Sequence, residues 1–143
     1  MVNLVLPRLR VGNKNKLLEE LSRIAAPIAQ LDRRALLGAL LDREKIGCTG
    51  IGQGVALPHA RFATIANPVA VFARLTSPIE YDAVDGRRVD LVYLLLGPAI
   101  ASDELLKMLA SAARMMRDQT ARLDLRQAED EKAIRNIFIR QPA

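Results

Sequence analysis

The chain of 143 residues contains a single histidine, His59, preceded by Val55-Ala56-Leu57-Pro58. Near neutral pH an imidazole offers an unprotonated nitrogen able to attack phosphorus, and its unperturbed pKa suits that task best among the side chains. A lone histidine is more often a surface or satisfied core residue than a catalytic one. The setting of His59 argues for chemistry. Pro58 has no N–H and fixes its own φ, so His59 follows a stiffened element. Val55-Ala56-Leu57 reads as a short buried strand that would hold the ring at a strand end. Upstream, Gly50-Ile51-Gly52-Gln53-Gly54 places glycines at every second residue. It is not a P-loop, because Gly-Lys-Ser/Thr is missing. Nor is it a dinucleotide fingerprint, because Val55 stands where the third glycine belongs. The glycines permit positive φ and leave backbone N–H groups open to an anion or a partner, although a flexible connection or a β-bulge would look the same.

Other reactive side chains carry weaker signals. Cys48 has no second cysteine to pair with, and a small core residue is its simplest reading. Asp82 and Asp85 lack the remaining ligands of a calcium loop and fit a hairpin turn better. Arg114, Arg117 and Arg135 read as a solvated helical face.

The elements that would position His59 follow from periodicity. Residues 14–28 form an amphipathic pattern with Leu17, Leu18, Leu21, Ile24, Ala25 and Ile28 on one face, and Asn13 suits its N-cap. Asp32 suits the cap of a second helix reaching Ile46, with Leu36, Ala39, Leu40 and Ile46 inward and Gly47 as a left-handed stop. Residues 69–75 and 88–96 are apolar and β-branched, and so predict strands, with Asp85-Gly86 as a turn between them. Ser102 would cap a third helix to about Arg117, followed by helices over roughly 120–127 and 129–140. Helices on either side of a strand-rich centre predict an α/β fold layered helix–sheet–helix.

Composition narrows the classes. Half the residues are apolar and 3% aromatic, with no Trp, so the core must be aliphatic. The length suits one domain over 1–143, and no linker-like segment divides it. One Cys and one His exclude a disulfide framework and Cys/His zinc clusters, so no metal is expected. The start lacks a signal-peptide pattern, and no apolar run approaches the ~18 residues of a membrane span. A cytoplasmic setting without a membrane span is therefore expected. The net charge is +5, but it is unevenly spread. Residues 1–45 carry nine Lys/Arg against five Asp/Glu, residues 46–106 four against six, and residues 107–143 eight against five. The excess lies on the flanking helices, without interleaved aromatic residues to stack bases. That favours acidic protein partners over nucleic acid.

The stretch Leu41-Asp42-Arg43-Glu44-Lys45-Ile46-Gly47-Cys48-Thr49-Gly50-Ile51-Gly52-Gln53-Gly54-Val55-Ala56-Leu57-Pro58-His59 resembles a known signature. It is similar to the phosphohistidine motif of the enzyme IIA domains of the phosphoenolpyruvate-dependent phosphotransferase system, fructose/mannitol type. Within that group it resembles the nitrogen-regulatory IIA proteins. Pro78-Ile79-Glu80-Tyr81-Asp82, Asp85-Gly86, Val89-Asp90-Leu91-Val92 and the stretch from Leu109-Ala110 to Arg117-Asp118 match later blocks in order, so the resemblance spans about residues 13–118. It implies a three-layer α/β/α sandwich around a mixed sheet. It implies that His59 accepts a phosphoryl group from a histidine-containing phosphocarrier protein, and that Arg43 stabilises the phosphate. Thr49, Gly50, Gly52 and Gly54 become candidates for a loop assisting at the phosphate, an extension argued from their composition. No cofactor is implied, since the donor is itself an activated phosphohistidine. The resemblance expects a second histidine where this chain has Leu105, a change bearing on transfer rate and phosphohistidine lifetime. Regulatory protein targets would follow from such a carrier. A sugar-specific IIA relay and an unphosphorylated interaction domain on the same scaffold are the alternatives.

Overall fold

The computed structural model describes residues 2–99 and 103–140. Among them, six strands and five helices are formed: β1 (Leu4–Leu9), α1 (Lys14–Ala29), α2 (Arg33–Ile46), β2 (Gly50–Gly52), β3 (Val55–Ala56), β4 (His59–Phe62), β5 (Val69–Ile79), β6 (Val89–Pro98), α3 (Glu104–Arg117), α4 (Gln119–Gln127) and α5 (Glu131–Arg140). The strands make one mixed sheet in the order β1-β5-β6-β3-β2, with β4 also on β6. β1 is parallel to β5, β5 antiparallel to β6, and both β3 and β4 parallel to β6.

Alternation along β6 divides the core in two, because successive side chains of a strand point to opposite faces. Val92, Leu94 and Leu96 join Leu17, Leu18 and Leu21 of α1 and Leu36 and Leu40 of α2. Leu91, Tyr93 and Leu95 join Leu105, Ala112 and Met116 of α3, Leu125 of α4, and Ile134 and Ile137 of α5. The helix–sheet–helix layering is thus observed, with the first two helices on one face and the last three on the other.

The helix starts follow their sequence signals. Asn13 Oδ1 accepts from the Lys16 N–H at 2.8 Å, and Asp32 Oδ2 from that of Ala35 at 3.0 Å. Each such cap is worth about 1 kcal/mol. The expected cap Ser102 lies outside the described residues. Three expectations need correction. Ile46 is 83% exposed, as the last residue of α2, with its side chain turned to solvent. Gly47 is extended (φ 174°) and not left-handed. Ile28 is exposed at 40% rather than inward. The strand set is also larger than expected, adding β1, β2 and β4, and β5 continues to Ile79.

His59 opens β4, and the register shows how it is placed. Val55 pairs with Leu91 and His59 with Leu95, so β3 and β4 follow β6 at one constant offset. They form one line along β6, interrupted at Leu57-Pro58. Pro58 contributes no donor, but its carbonyl accepts from the Leu95 N–H at 3.0 Å and keeps the line attached. On the same stretch of β6, Gly97 faces α3. A Cβ added there would lie 2.9 Å from the Leu105 Cβ. We expect Gly97→Ala to destabilise the fold by about 1–3 kcal/mol through overpacking, measured by urea unfolding.

Candidate functional site

The last turn of α2 carries Arg43 to the His59 ring. Arg43 Nε donates to His59 Nε2 at 3.2 Å, while its Nη1 donates to the Gly47 carbonyl at 2.7 Å at the helix C-terminus. A guanidinium suits that end of a helix, where orphan carbonyls concentrate negative potential. The other ring nitrogen, Nδ1, lies 2.8 Å from the Leu57 carbonyl. A carbonyl only accepts, so Nδ1 holds the proton and Nε2 holds the lone pair. The half-buried ring has its pKa lowered from the usual 6.5. Burial is the main cause, the Leu57 carbonyl opposes it, and the Arg43 charge adds to it. The imidazole is thus neutral at neutral pH, with the nucleophilic nitrogen set beside a fixed cation.

Behind this pair lies a polar cluster that the sequence reading did not assemble. The Glu44 carboxylate receives Lys14 Nζ at 2.9 Å, the Thr49 N–H at 3.1 Å and the Thr49 hydroxyl. Thr49 Oγ1 also lies 2.9 Å from the Tyr81 hydroxyl. Lys14 Nζ sits 4.3 Å above the centre of the Tyr81 ring, a cation–π arrangement. Tyr81 is fully buried, and burial followed by the Glu44 charge raises its pKa, so the phenol stays protonated. The cluster reaches His59 through the backbone, because the Thr49 carbonyl accepts from the Leu57 N–H at 2.9 Å. The sequence signal for Glu44 was its adjacency to Arg43. For Lys14 and Tyr81, 30 or more residues away in the chain, there was none.

The structure distributes the loop candidates unevenly. Thr49 is beside the site, but its N–H and hydroxyl are already committed to Glu44. Gly50 packs against Tyr81 and Ala83, and a Cβ there would come within 2.8 Å of the Ala83 Cβ. Gly52 and Gly54 take positive φ, 97° and 80°. Gly52 ends β2 and Gly54 immediately precedes β3, seven and five residues before His59, and five residues of extended chain span roughly 16 Å. There Gly52 abuts the Asp85 carboxylate, and Gly54 abuts Arg126 and Asp90. The structure therefore does not bring Gly52 or Gly54 to His59; they serve the turn and its close packing. Asp85 accepts from the N–H groups of Gln53 and Arg87 and so acts as a turn cap.

Cys48 is exposed and not a core residue; its thiol donates to the Tyr81 carbonyl at 3.1 Å. Arg135, read as solvated, donates to Glu131 and to the Val2 carbonyl, and so pins the start of the chain. Leu105 is 1% exposed in the apolar core under β6, against Gly97. It brings no hydrogen-bonding group toward the ring. Among the described residues no group of three His, Cys, Asp or Glu is placed to hold a metal. No helix among them is long and apolar enough to cross a membrane.

This geometry can be set beside known proteins. The family described as "Phosphoenolpyruvate-dependent sugar phosphotransferase system, EIIA 2" matches residues 2–141. The chain belongs to that family. A nitrogen regulatory protein of Bradyrhizobium diazoefficiens is 42% identical over 97% of this chain and 91% of its own length. The nitrogen regulatory protein of Escherichia coli K12 is 36% identical over 92% of this chain and 81% of its own. Among solved structures, the nitrogen regulatory protein IIA-Ntr of Neisseria meningitidis superposes with a TM-score of 0.88. It is 34% identical and covers 94% of this chain and 91% of that one. The IIA mannitol structure of Escherichia coli, at 15% identity and a TM-score of 0.77, shares the fold. The mixed sheet with helices on both faces is thus the family's architecture, and the relatives include nitrogen regulatory IIA proteins.

The lowered pKa of His59 has a measurable consequence. We expect its imidazole resonances to titrate below 6.5 in the folded protein, and Arg43→Leu to move the midpoint upward by removing a cation. Because the folded pKa is the lower one, protonation favours the unfolded chain. The contribution of His59 to stability is complete above pH 6.5 and declines as pH falls toward the folded midpoint. Proton NMR and unfolding at several pH values measure both.

Proposed function

We propose that the protein is a phosphoryl carrier of the phosphotransferase system, working in its nitrogen-regulatory branch through reversible phosphorylation of His59. The supporting observation is the ring's fixed tautomer, with Nδ1–H on Leu57 and the Nε2 lone pair facing Arg43. Nε2 attacks the phosphorus of a phosphohistidine on a histidine-containing phosphocarrier protein. The new N–P bond forms as the donor's N–P bond breaks, and the donor imidazole leaves with the electron pair. In the resting site Arg43 Nε occupies the lone pair that must attack. It therefore shifts from Nε2 to the equatorial oxygens of the phosphoryl group, where a planar guanidinium stabilises charge spread over several atoms. No metal or nucleotide takes part in this chemistry.

Phosphorylation adds about −1.5 to −2 charges beside the exposed α2 C-terminus. The altered surface selects regulatory protein partners, consistent with the names of the full-length relatives. The place of action is the cytoplasm, where the phosphocarrier is found. Leu105 leaves Arg43 as the one side chain hydrogen-bonded to the reactive nitrogen among the described residues. Discharge of the phosphohistidine therefore depends on Arg43 alone.

Incubation with phosphoenolpyruvate, enzyme I and the phosphocarrier should give an acid-labile adduct on Nε2, identified by ³¹P–¹⁵N NMR and absent from His59→Ala. Arg43→Ala should still be labelled, but about 100-fold more slowly or worse. An unlabelled wild-type protein would sink the carrier reading and leave a protein-interaction domain. Transfer of the label to a IIB protein would instead assign a sugar-specific relay.

A further inference from the structure

A cavity of about 740 Å³ lies on the opposite face of the sheet from α2, between α3, α5 and β6. Its size falls within the roughly 300–1,000 Å³ of small-molecule sites. Met108 and Met115 of α3 and Phe138 of α5 line it, and Tyr93 of β6 contributes from the sheet. Lys107 and Arg114 border it and are exposed, and Arg135 and the carboxylates of Glu104 and Asp118 also lie at its rim.

Two observations separate it from a gap in packing. Tyr93 is only 8% exposed, and its ring is held edge-on by Phe72 at 6.2 Å and Phe138 at 5.3 Å between centroids. Its hydroxyl nevertheless makes no hydrogen bond among the described residues, and it is not sealed from open space. Buried hydroxyls ordinarily find a protein partner or another molecule. Burial raises the phenol's pKa to about 12, so it remains a neutral donor. In addition, Lys107 and Arg114 form no ion pair among the described residues. The neighbouring Arg135 is different, since Glu131 and the Val2 carbonyl already hold it. The two uncommitted cations have long stems that reach across the mouth. Thioether walls adapt to varied apolar shapes.

We propose that this cavity binds a small amphipathic carboxylate. Its hydrocarbon body lies between Met108, Met115 and Phe138. A carboxylate oxygen accepts from the Tyr93 hydroxyl, and Lys107 and Arg114 meet the negative charge. The site is distinct from His59, whose ring addresses Arg43 on α2.

Calorimetric titration of the full chain with decanoate should saturate at one ligand per chain, with decanol at least tenfold weaker. Tyr93→Phe keeps the ring packing and should weaken decanoate binding about tenfold. Arg114→Gln should weaken decanoate and leave decanol unchanged. Ser111→Trp, which fills the cavity from α3, should abolish binding while thermal unfolding stays cooperative. The proposal is overturned if decanoate does not bind at millimolar concentration or if decanol matches it. Equal binding by wild type and Tyr93→Phe overturns it as well, whether or not the tryptophan variant folds. None of these readings involves phosphoryl transfer.

Discussion

One peptide unit organises the reactive end of the molecule. The N–H of Leu57 is held by the Thr49 carbonyl, and its own carbonyl takes the Nδ1–H of His59. The first bond fixes where the carbonyl points. The second fixes the ring's tautomer and leaves Nε2 unprotonated toward Arg43. The Leu57 N–H and carbonyl face the β2 side, while the Gly54 and Pro58 carbonyls accept from β6. A regular antiparallel pair would spend the Leu57 carbonyl on the Thr49 N–H, but that donor is taken by Glu44.

The cluster behind Leu57 explains how such a bond stays in register. Glu44, Thr49, Lys14 and Tyr81 come from the end of α2, the approach to β2, the start of α1 and the segment after β5. Each polar group meets a partner from another element. No side-chain N or O fully sealed from solvent among the described residues lacks a hydrogen bond. Removing one member of the largely buried Lys14–Glu44 pair would cost about 3–5 kcal/mol, because the remaining charge is stranded. The exposed pairs Lys16–Glu19 and Lys45–Asp42 are worth about 0–1 kcal/mol each. The Lys14–Glu44 pair behind the histidine therefore carries far more of the stability than these exposed pairs.

Local signals were legible where local physics decides. Asn13 and Asp32 cap their helices as expected, since a cap depends only on the next three residues. The apolar runs of β5 and β6 are buried strands because β-branched residues suit a sheet covered on both faces. Expectations failed where distant residues decide. β1 was not recognised because it is short, contains Pro7, and is defined by pairing with β5. Ile46 was assigned inward on periodicity, yet it is the last residue of α2 and faces solvent. Cys48 was assigned to the core on residue type, whereas its segment leaves the helix toward the surface.

The candidate site divides in the same way. His59 and Arg43 belong to one continuous motif sixteen residues apart; the imidazole suggested the chemistry by its type, and Arg43 entered through the family resemblance. The alternating glycines were equally visible, but their purpose was not. Gly50 and Gly54 are needed because Ala83, Asp90 and Arg126 crowd them, and those residues lie 33 to 72 positions further along the chain. Composition could suggest a phosphate cradle as readily as a packed turn. The sequence by itself determined the layering and singled out the imidazole, with its arginine, as the candidate for chemistry. Only the tertiary structure decided which nitrogen is free, what holds the ring, and where the Tyr93 hydroxyl opens. Those properties arise from contacts between remote segments, which no local pattern of residues encodes.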